Sequence, residues 1–434
     1  MKEKTGLLLR ALLQAALVGI CTGVLLCFYK LLAKQAVTFA NSGYGWLQQH
    51  LWVVLPILAV FLGIAFLLSL IYRRIPTLKG GGIPTSICAI KDLTHFNGIK
   101  NLVGVFTLSL GSFLMGLPLG TEGPSVQMGT AMGDILSKIF GKKDRVDNLT
   151  AGACAGFTVA TGAPISGLLF SVEEAHKKIS GKQIATAATA VTFAAVINHL
   201  LSPMLHISIG LFEGVTLPTL NANQLWLPAL CGAVMGLFSV GFLHYYTWIK
   251  KLAELPKPTR FIKLFLVFAL TLLMGILSFD MISTGHDLIF YLGQGHYALW
   301  MILLILFVRT TLTLSANTCG CTGGIFLPLL AIGATASAAL ASICISLGMD
   351  QRYYLFAVML GMVGCVAGMM KMPLTAVVFA LEALSLQTNL LSVMITAVLT
   401  FIITEIFRVK SITEIIVEHR ETAPRPAAEP SLSR

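Results

Sequence analysis

No lysine or arginine occurs between residues 35 and 72, between 183 and 249, or between 264 and 308. A soluble domain carries about 25% charged residues, so stretches of this length without a cation cannot be wrapped around a water-facing surface. In and beside them lie runs that approach the ~20 apolar residues a spanning helix needs. They cover 7–32, 51–71, 102–119, 225–249, 262–282 and 300–314, and from 323 to 406 the apolar character is broken mainly by Gly, Pro and single charges. Hydrophobic residues make up 56% of the chain and charged residues 11%. The fold class is therefore an all-α polytopic membrane protein. The opening apolar stretch is too long for a cleavable signal peptide and has no clear cleavage site.

The net charge of +11 raises the question of nucleic acid. The placement of the charge answers it. Basic residues cluster in short segments: Lys2, Lys4 and Arg10; Arg73, Arg74 and Lys79; Lys138, Lys142, Lys143 and Arg145; Lys177, Lys178 and Lys182; several between 250 and 263; and Arg408 and Lys410. That is the positive-inside pattern. It assigns the basic loops and both termini to the cytoplasmic side of the cell membrane, with the lipid bilayer, not nucleic acid, as the partner.

The nine cysteines lie mostly inside apolar runs and read as small buried hydrophobes. Cys319 and Cys321 have no second cysteine pair or nearby histidines, so no metal site is expected. There is no Walker sequence, no HExxH and no nucleophile elbow, hence no cofactor and no enzyme chemistry. The transmembrane domain is expected to span 1–408. Residues 409–434 form a cytoplasmic tail, partly disordered from 421 on.

Two segments share a pattern. In "GAPISGLLFSVEEA" and "KMPLTAVVFALEAL", Pro164, Phe170 and Glu173 match Pro373, Phe379 and Glu382 at identical spacings. Each is preceded by a Gly-rich segment with proline, "GTEGPSV" at Gly120 and "GGIFLPL" at Gly323. A two-fold internal repeat follows, one half about 7–205 and the other about 223–408. The match alone leaves their relative orientation open. Breaks at corresponding places in two halves point to a binding site near the membrane midplane.

The breaks have a chemistry. Gly80-Gly81-Gly82-Ile83-Pro84, Gly120-Thr121-Glu122-Gly123-Pro124 and Gly324-Ile325-Phe326-Leu327-Pro328 each place Gly before Pro. Proline suits a helix's first turn, where its missing N–H would be unpaired, and glycine lets backbone approach a ligand closely. The resulting N-termini offer free N–H groups and partial positive charge. Three of them converging would hold an anion without a full positive charge, which conduction requires if the ion is to leave. Glu122 stands in one of them. Between residues 101 and 135 the only other ionisable side chain is Asp134.

In this order the three segments resemble those of the CLC family of chloride channels and proton-coupled anion exchangers, of the bacterial type without appended nucleotide-binding domains. The resemblance implies about eighteen helices of uneven length, broken and re-entrant, in two inverted repeats, and a homodimer with a pathway in each subunit. It implies a chloride/proton antiporter with Glu122 as gating glutamate and proton carrier. Glu173 is implied to be structural and Glu174 to be the internal proton-transfer glutamate, where the channels carry an apolar residue. The anion would be bound by Gly81, Gly82, Ile83, Gly123, Ile325, Phe326 and Thr413. On a straight helix Glu174 lies roughly 15 Å beyond Pro164, too far along the pathway for Glu122 and Glu174 to act as one acid/base pair on a substrate.

The sequence departs from the family at the anion site. Gly81 replaces the coordinating serine, Thr121 a basic residue, and Thr413 a tyrosine. Fluoride-exporting members also depart there, so fluoride/proton antiport is the second expectation and a passive channel the third.

Overall fold

In hydrocarbon every backbone N–H and C=O must be paired inside the protein, so apolar runs of this kind close on themselves as helices. A computed structural model describes residues 2–141, 144–176, 180–212, 217–295 and 297–422. The tail from 423 and the lysines 142, 143, 177 and 178 lie outside the described residues.

Among the described residues there are seventeen α-helices, in keeping with the about eighteen that the resemblance implies, and no strand beyond a single bridge between Gly120 and Gly324. The first eight are α1 (Lys2–Gln49), α2 (Val54–Arg74), α3 (Ile83–Ile90), α4 (Gly98–Leu114), α5 (Glu122–Phe140), α6 (Arg145–Thr161), α7 (Pro164–Phe170) and α8 (Gly181–Met204). The next eight are α9 (Trp226–Glu254), α10 (Arg260–Leu277), α11 (His286–Gly293), α12 (Leu299–Cys319), α13 (Phe326–Ser346), α14 (Tyr354–Met369), α15 (Pro373–Ala383) and α16 (Leu390–Ile406). A last helix, α17 (Ile412–Thr422), follows.

The packing recurs in the same order. α1 lies on α6 and α8, and α5 on α6; α9 lies on α14 and α16, and α13 on α14. Where the halves meet, like packs on like: α2 against α10 and α7 against α15. Small residues bring α5 and α6 together. A Cβ on Gly129, Gly133 or Gly156 would strike the carbonyl of Gly152, Asn148 or Ser125, the close approach that small residues permit between membrane helices.

Nine helical segments among the described residues are long and apolar enough to cross a membrane. On α2, Leu55, Val60, Leu62, Phe66, Leu67 and Leu70 are exposed. That continuous apolar face fits lipid, not water. One expected span is corrected and one was not foreseen. The run 102–119 is not one span: α4 ends at Leu114, and Leu117 and Leu119 lie in the turn that delivers Gly120 to the site. The span Gly181–Met204 was missed, because "ATAATAVTFAAV" mixes Ala and Thr where a run search looks for Leu and Ile.

The matched glutamates are exchanged between the halves. The Glu173 carboxylate accepts from the backbone N–H of Leu374 (3.0 Å) and Thr375 (2.7 Å) and from the Thr375 hydroxyl, at the start of α15. Glu382 does the same at α7, accepting from Ile165 and Ser166 N–H (both 2.8 Å) and the Ser166 hydroxyl (2.7 Å). Each helix start carries unpaired N–H groups and partial positive charge, and each is capped by the other half's carboxylate. Glu382→Gln keeps the shape but turns a donor toward these donors. The expected cost is about 1.5–3 kcal/mol, that of a hydrogen bond to a charged group. It is read as a lower melting temperature of the purified protein. An unchanged melting temperature would remove the cap from the account of stability.

α7 is also shorter than expected. The α-helix ends at Phe170 and continues as a π-helical turn, Ser171–His176, which carries Glu173 and Glu174. Glu174 therefore does not stand at the end of one straight helix. It is half-buried on a turn that packs against α3 and α6.

Candidate anion site

The three Gly–Pro segments meet backbone to backbone. Gly82 has φ +77° and faces the Gly123 carbonyl; Gly123 faces the Gly81 carbonyl and the Gly324 Cα. Gly120 and Gly324 exchange two hydrogen bonds of 2.7 Å, and the Gly323 N–H reaches the Gly80 carbonyl at 3.4 Å. The starts of α3, α5 and α13 are thereby fixed around one point, and no side chain could be added at Gly82, Gly123 or Gly324 without displacing backbone. Pro84 lies in the first turn of α3, Pro124 and Pro328 at the third position of α5 and α13. The first N–H groups of each helix have no intrahelical acceptor. Ile83, Ile325 and Phe326 are buried at this point.

A hydroxyl relay locks the first segment to the third. The Tyr72 hydroxyl donates to Thr322 Oγ1 (2.8 Å), and Oγ1 donates on to the Leu78 carbonyl (2.6 Å). Tyr72 also accepts the Thr322 N–H, and Ser112 donates to the Thr322 carbonyl at 2.7 Å. From α5, Gln127 Nε2 donates to the Thr77 carbonyl and to Asn101 Oδ1. These bonds give the Leu78, Thr77 and Thr322 carbonyls and the Thr322 N–H partners in the interior.

The two carboxylates between residues 101 and 135 are treated in opposite ways. Asp134 is ion-paired to Lys138 (2.7 Å) and Arg145 (2.8 Å) and accepts the Gly98 N–H (2.9 Å). It is a tie between α4, α5 and α6. Glu122 is fully buried, and its nearest polar side chain is Thr121, whose hydroxyl stands 3.4 Å from Oε1. Oε2 has no hydrogen-bond partner and lies over Gly120, beside Leu327 and Pro328. An incompletely paired carboxylate in this interior is costly. Its position between the starts of α5 and α13 is where an anion would gain most from the helix ends.

The remaining expected residues fall on two further elements. Thr413 is buried on α17, whose start is held by reciprocal hydrogen bonds between Ser411 and Glu414. α17 packs on α3, the helix that begins at Gly82-Ile83. Glu174 sits on the π-helical turn already described. Two buried polar residues escaped the sequence reading. Arg309 donates to the carbonyls of Asp280, Ile282 and Ser283 and secures the turn ahead of α11. Asn317, in the last turn of α12, accepts from the Tyr246 hydroxyl at 3.1 Å. The one signal for either was a polar residue inside an apolar run.

Known structures share this architecture. A slow cyanobacterial Cl-/H+ antiporter is 23% identical, with a TM-score of 0.82 over 95% of this chain and 98% of its own. A eukaryotic CLC transporter is 18% identical, with a TM-score of 0.74 over 95% of this chain and 74% of its own. A CLC-type fluoride/proton antiporter is also 18% identical, with a TM-score of 0.73 over 92% and 96%. At these identities the likeness speaks for the fold. The model of the voltage gated chloride channel family matches residues 64–405. Most of the chain is covered, with all three Gly–Pro segments and Glu122 inside the match, and the chain is a multi-pass membrane protein that belongs to the CLC family of anion channels and transporters.

Proposed function

We propose that the protein exchanges a small inorganic anion, chloride in the first instance, for protons. Glu122 is the gate and the proton carrier, and Glu174 the internal proton-transfer group. The observation that carries this reading is Glu122 itself: a fully buried carboxylate with an unpartnered Oε2, placed between converging helix starts and ion-paired to no cation among the described residues. The anion is held by the backbone around Gly81, Gly82, Ile83, Gly123, Ile325 and Phe326, with Thr413 bordering it from α17. The protein works as a homodimer in the cell membrane, with both termini cytoplasmic and with the halves 7–205 and 223–408 antiparallel.

Two observations support fluoride as the second reading. Gly81 offers no hydroxyl, and a fluoride/proton antiporter is among the similar folds. Liposomes loaded with chloride, fluoride or nitrate, with anion efflux and proton uptake recorded together, decide among the anions. Anion flux that never drives protons uphill would leave a passive channel.

Glu174 is tested in the same liposomes. In Glu174→Gln the anion still crosses while proton movement falls about a hundred-fold, the low end of what a positioned proton-transfer group contributes. Unchanged proton uptake would return Glu174 to a purely structural place on its turn.

A further inference from the structure

We propose that the carboxamide of Asn317 donates a hydrogen bond to the transported anion, in place of the hydroxyl that Gly81 does not carry. The inference rests on the anion-transport reading and adds a residue to it.

Asn317 is 6% exposed. Its Oδ1 is engaged by the Tyr246 hydroxyl at 3.1 Å, while Nδ2 is buried without a hydrogen-bond partner. Buried amide hydrogens without an acceptor are rare, and each asks for a reason. The direction in which Nδ2 points supplies one. A side chain at Gly81 would place its Cβ 3.3 Å from Nδ2, 4.0 Å from the Ile325 N and 3.7 Å from the Gly323 carbonyl. The space left empty by the missing side chain is thus bordered by two N–H donors from α12 and the α13 start, with one carbonyl on its rim. Two donors converging on a vacated place call for an acceptor, and an anion at the helix starts is that acceptor. Because Oδ1 is held by Tyr246, the NH2 end is turned toward Gly81 before the ion arrives, and little ordering remains to be done on binding. Carboxamide and hydroxyl are both neutral donors, so the exchange keeps the site free of fixed positive charge.

The test is calorimetric titration of the purified protein with sodium chloride and with sodium fluoride, alongside liposome flux. Asn317→Leu keeps the branched outline at a somewhat larger volume and removes the donor. The anion that the wild type transports should bind about ten- to hundred-fold more weakly, the worth of one hydrogen bond to a charged group. Tyr246→Phe frees the amide to turn and should weaken binding several-fold. Asn317→Ala makes room for a side chain at Gly81. Adding Gly81→Ser to it should recover most of the lost affinity, which a merely structural asparagine would not allow. If Asn317→Leu yields no folded protein, Tyr246→Phe and the Ala–Ser pair carry the test. Affinity equal to the wild type in the folded variants overturns the role of Asn317 while leaving transport intact. A wild type that moves no anion at all overturns the transport reading, and this inference with it.

Discussion

Glu122→Gln abolishes proton coupling: anion efflux no longer drives protons uphill, and its rate no longer changes with pH. The substitution keeps the side chain's length and shape and removes only the ability to carry a charge and to take up and release a proton. In the proposed exchange cycle the charged carboxylate occupies the place between the starts of α5 and α13, where partial positive charge and free N–H groups favour it. In that cycle protonation would remove the attraction, the side chain would leave, and an anion would enter. The alternation ties one flux to the other. Oε2, buried and unpartnered over Gly120, is the atom at which the proton would be exchanged. In the glutamine variant the place is filled or vacated once and for all, so the residual anion rate can be higher or lower than in the wild type but cannot titrate. Efflux from liposomes at several pH values, with a pH electrode following protons, measures both quantities. A variant that still pumps protons on an anion gradient would show that another group is the carrier.

What could be read in the sequence follows from how local each signal is. The three helix starts were legible because Gly and Pro report backbone conformation at the residue itself: Gly82, directly ahead of Ile83-Pro84, takes the positive φ (+77°) that glycine alone adopts without strain. The repeat was legible from Pro164, Phe170 and Glu173 against Pro373, Phe379 and Glu382. That each glutamate caps the other half's helix was not, because equal spacing reports equal local structure and says nothing of which copy is the partner. The helix α6 is buried from Asn148 to Thr161 and rich in Gly, Ala and Thr. Such a helix meets protein on all sides and needs small residues more than hydrophobic ones, so an apolar-run search passes over it. Glu174 was placed by assuming a continuous α-helix; the π-helical turn at Ser171–His176 has no sequence rule that would have announced it. Asn317 stands seven residues ahead of the Gly324 motif, and only the fold brings its amide to Gly81.

Gly81 and Gly82 are adjacent in sequence and make opposite demands, and an alanine at each separates them. Gly82→Ala should prevent assembly of the site. The residue has φ +77°, which costs a side-chain-bearing residue about 1–3 kcal/mol. Its Cβ would also run into the Gly123 carbonyl, at the start of α5. That carbonyl cannot retreat freely, because Gly123 is itself pressed against Gly81 and Gly324, and Gly324 is bonded twice to Gly120. Overpacking of this kind adds about 1–3 kcal/mol. Together the two terms come to about 2–6 kcal/mol, a large fraction of the about 5–15 kcal/mol that holds an ordinary domain folded. Gly81→Ala meets neither obstacle. Its backbone is outside the left-handed region, and the nearest atom to the new Cβ is the Asn317 Nδ2 at 3.3 Å, the end of a side chain that can give by a few tenths of an ångström. The first variant is expected to be lost to aggregation or to melt far below the wild type with no anion flux. The second should purify as a single species that melts within a few degrees of it. Size-exclusion profiles and melting curves of the two proteins suffice. Equal stability would mean that the three helix starts are not held in the backbone contact on which the site depends.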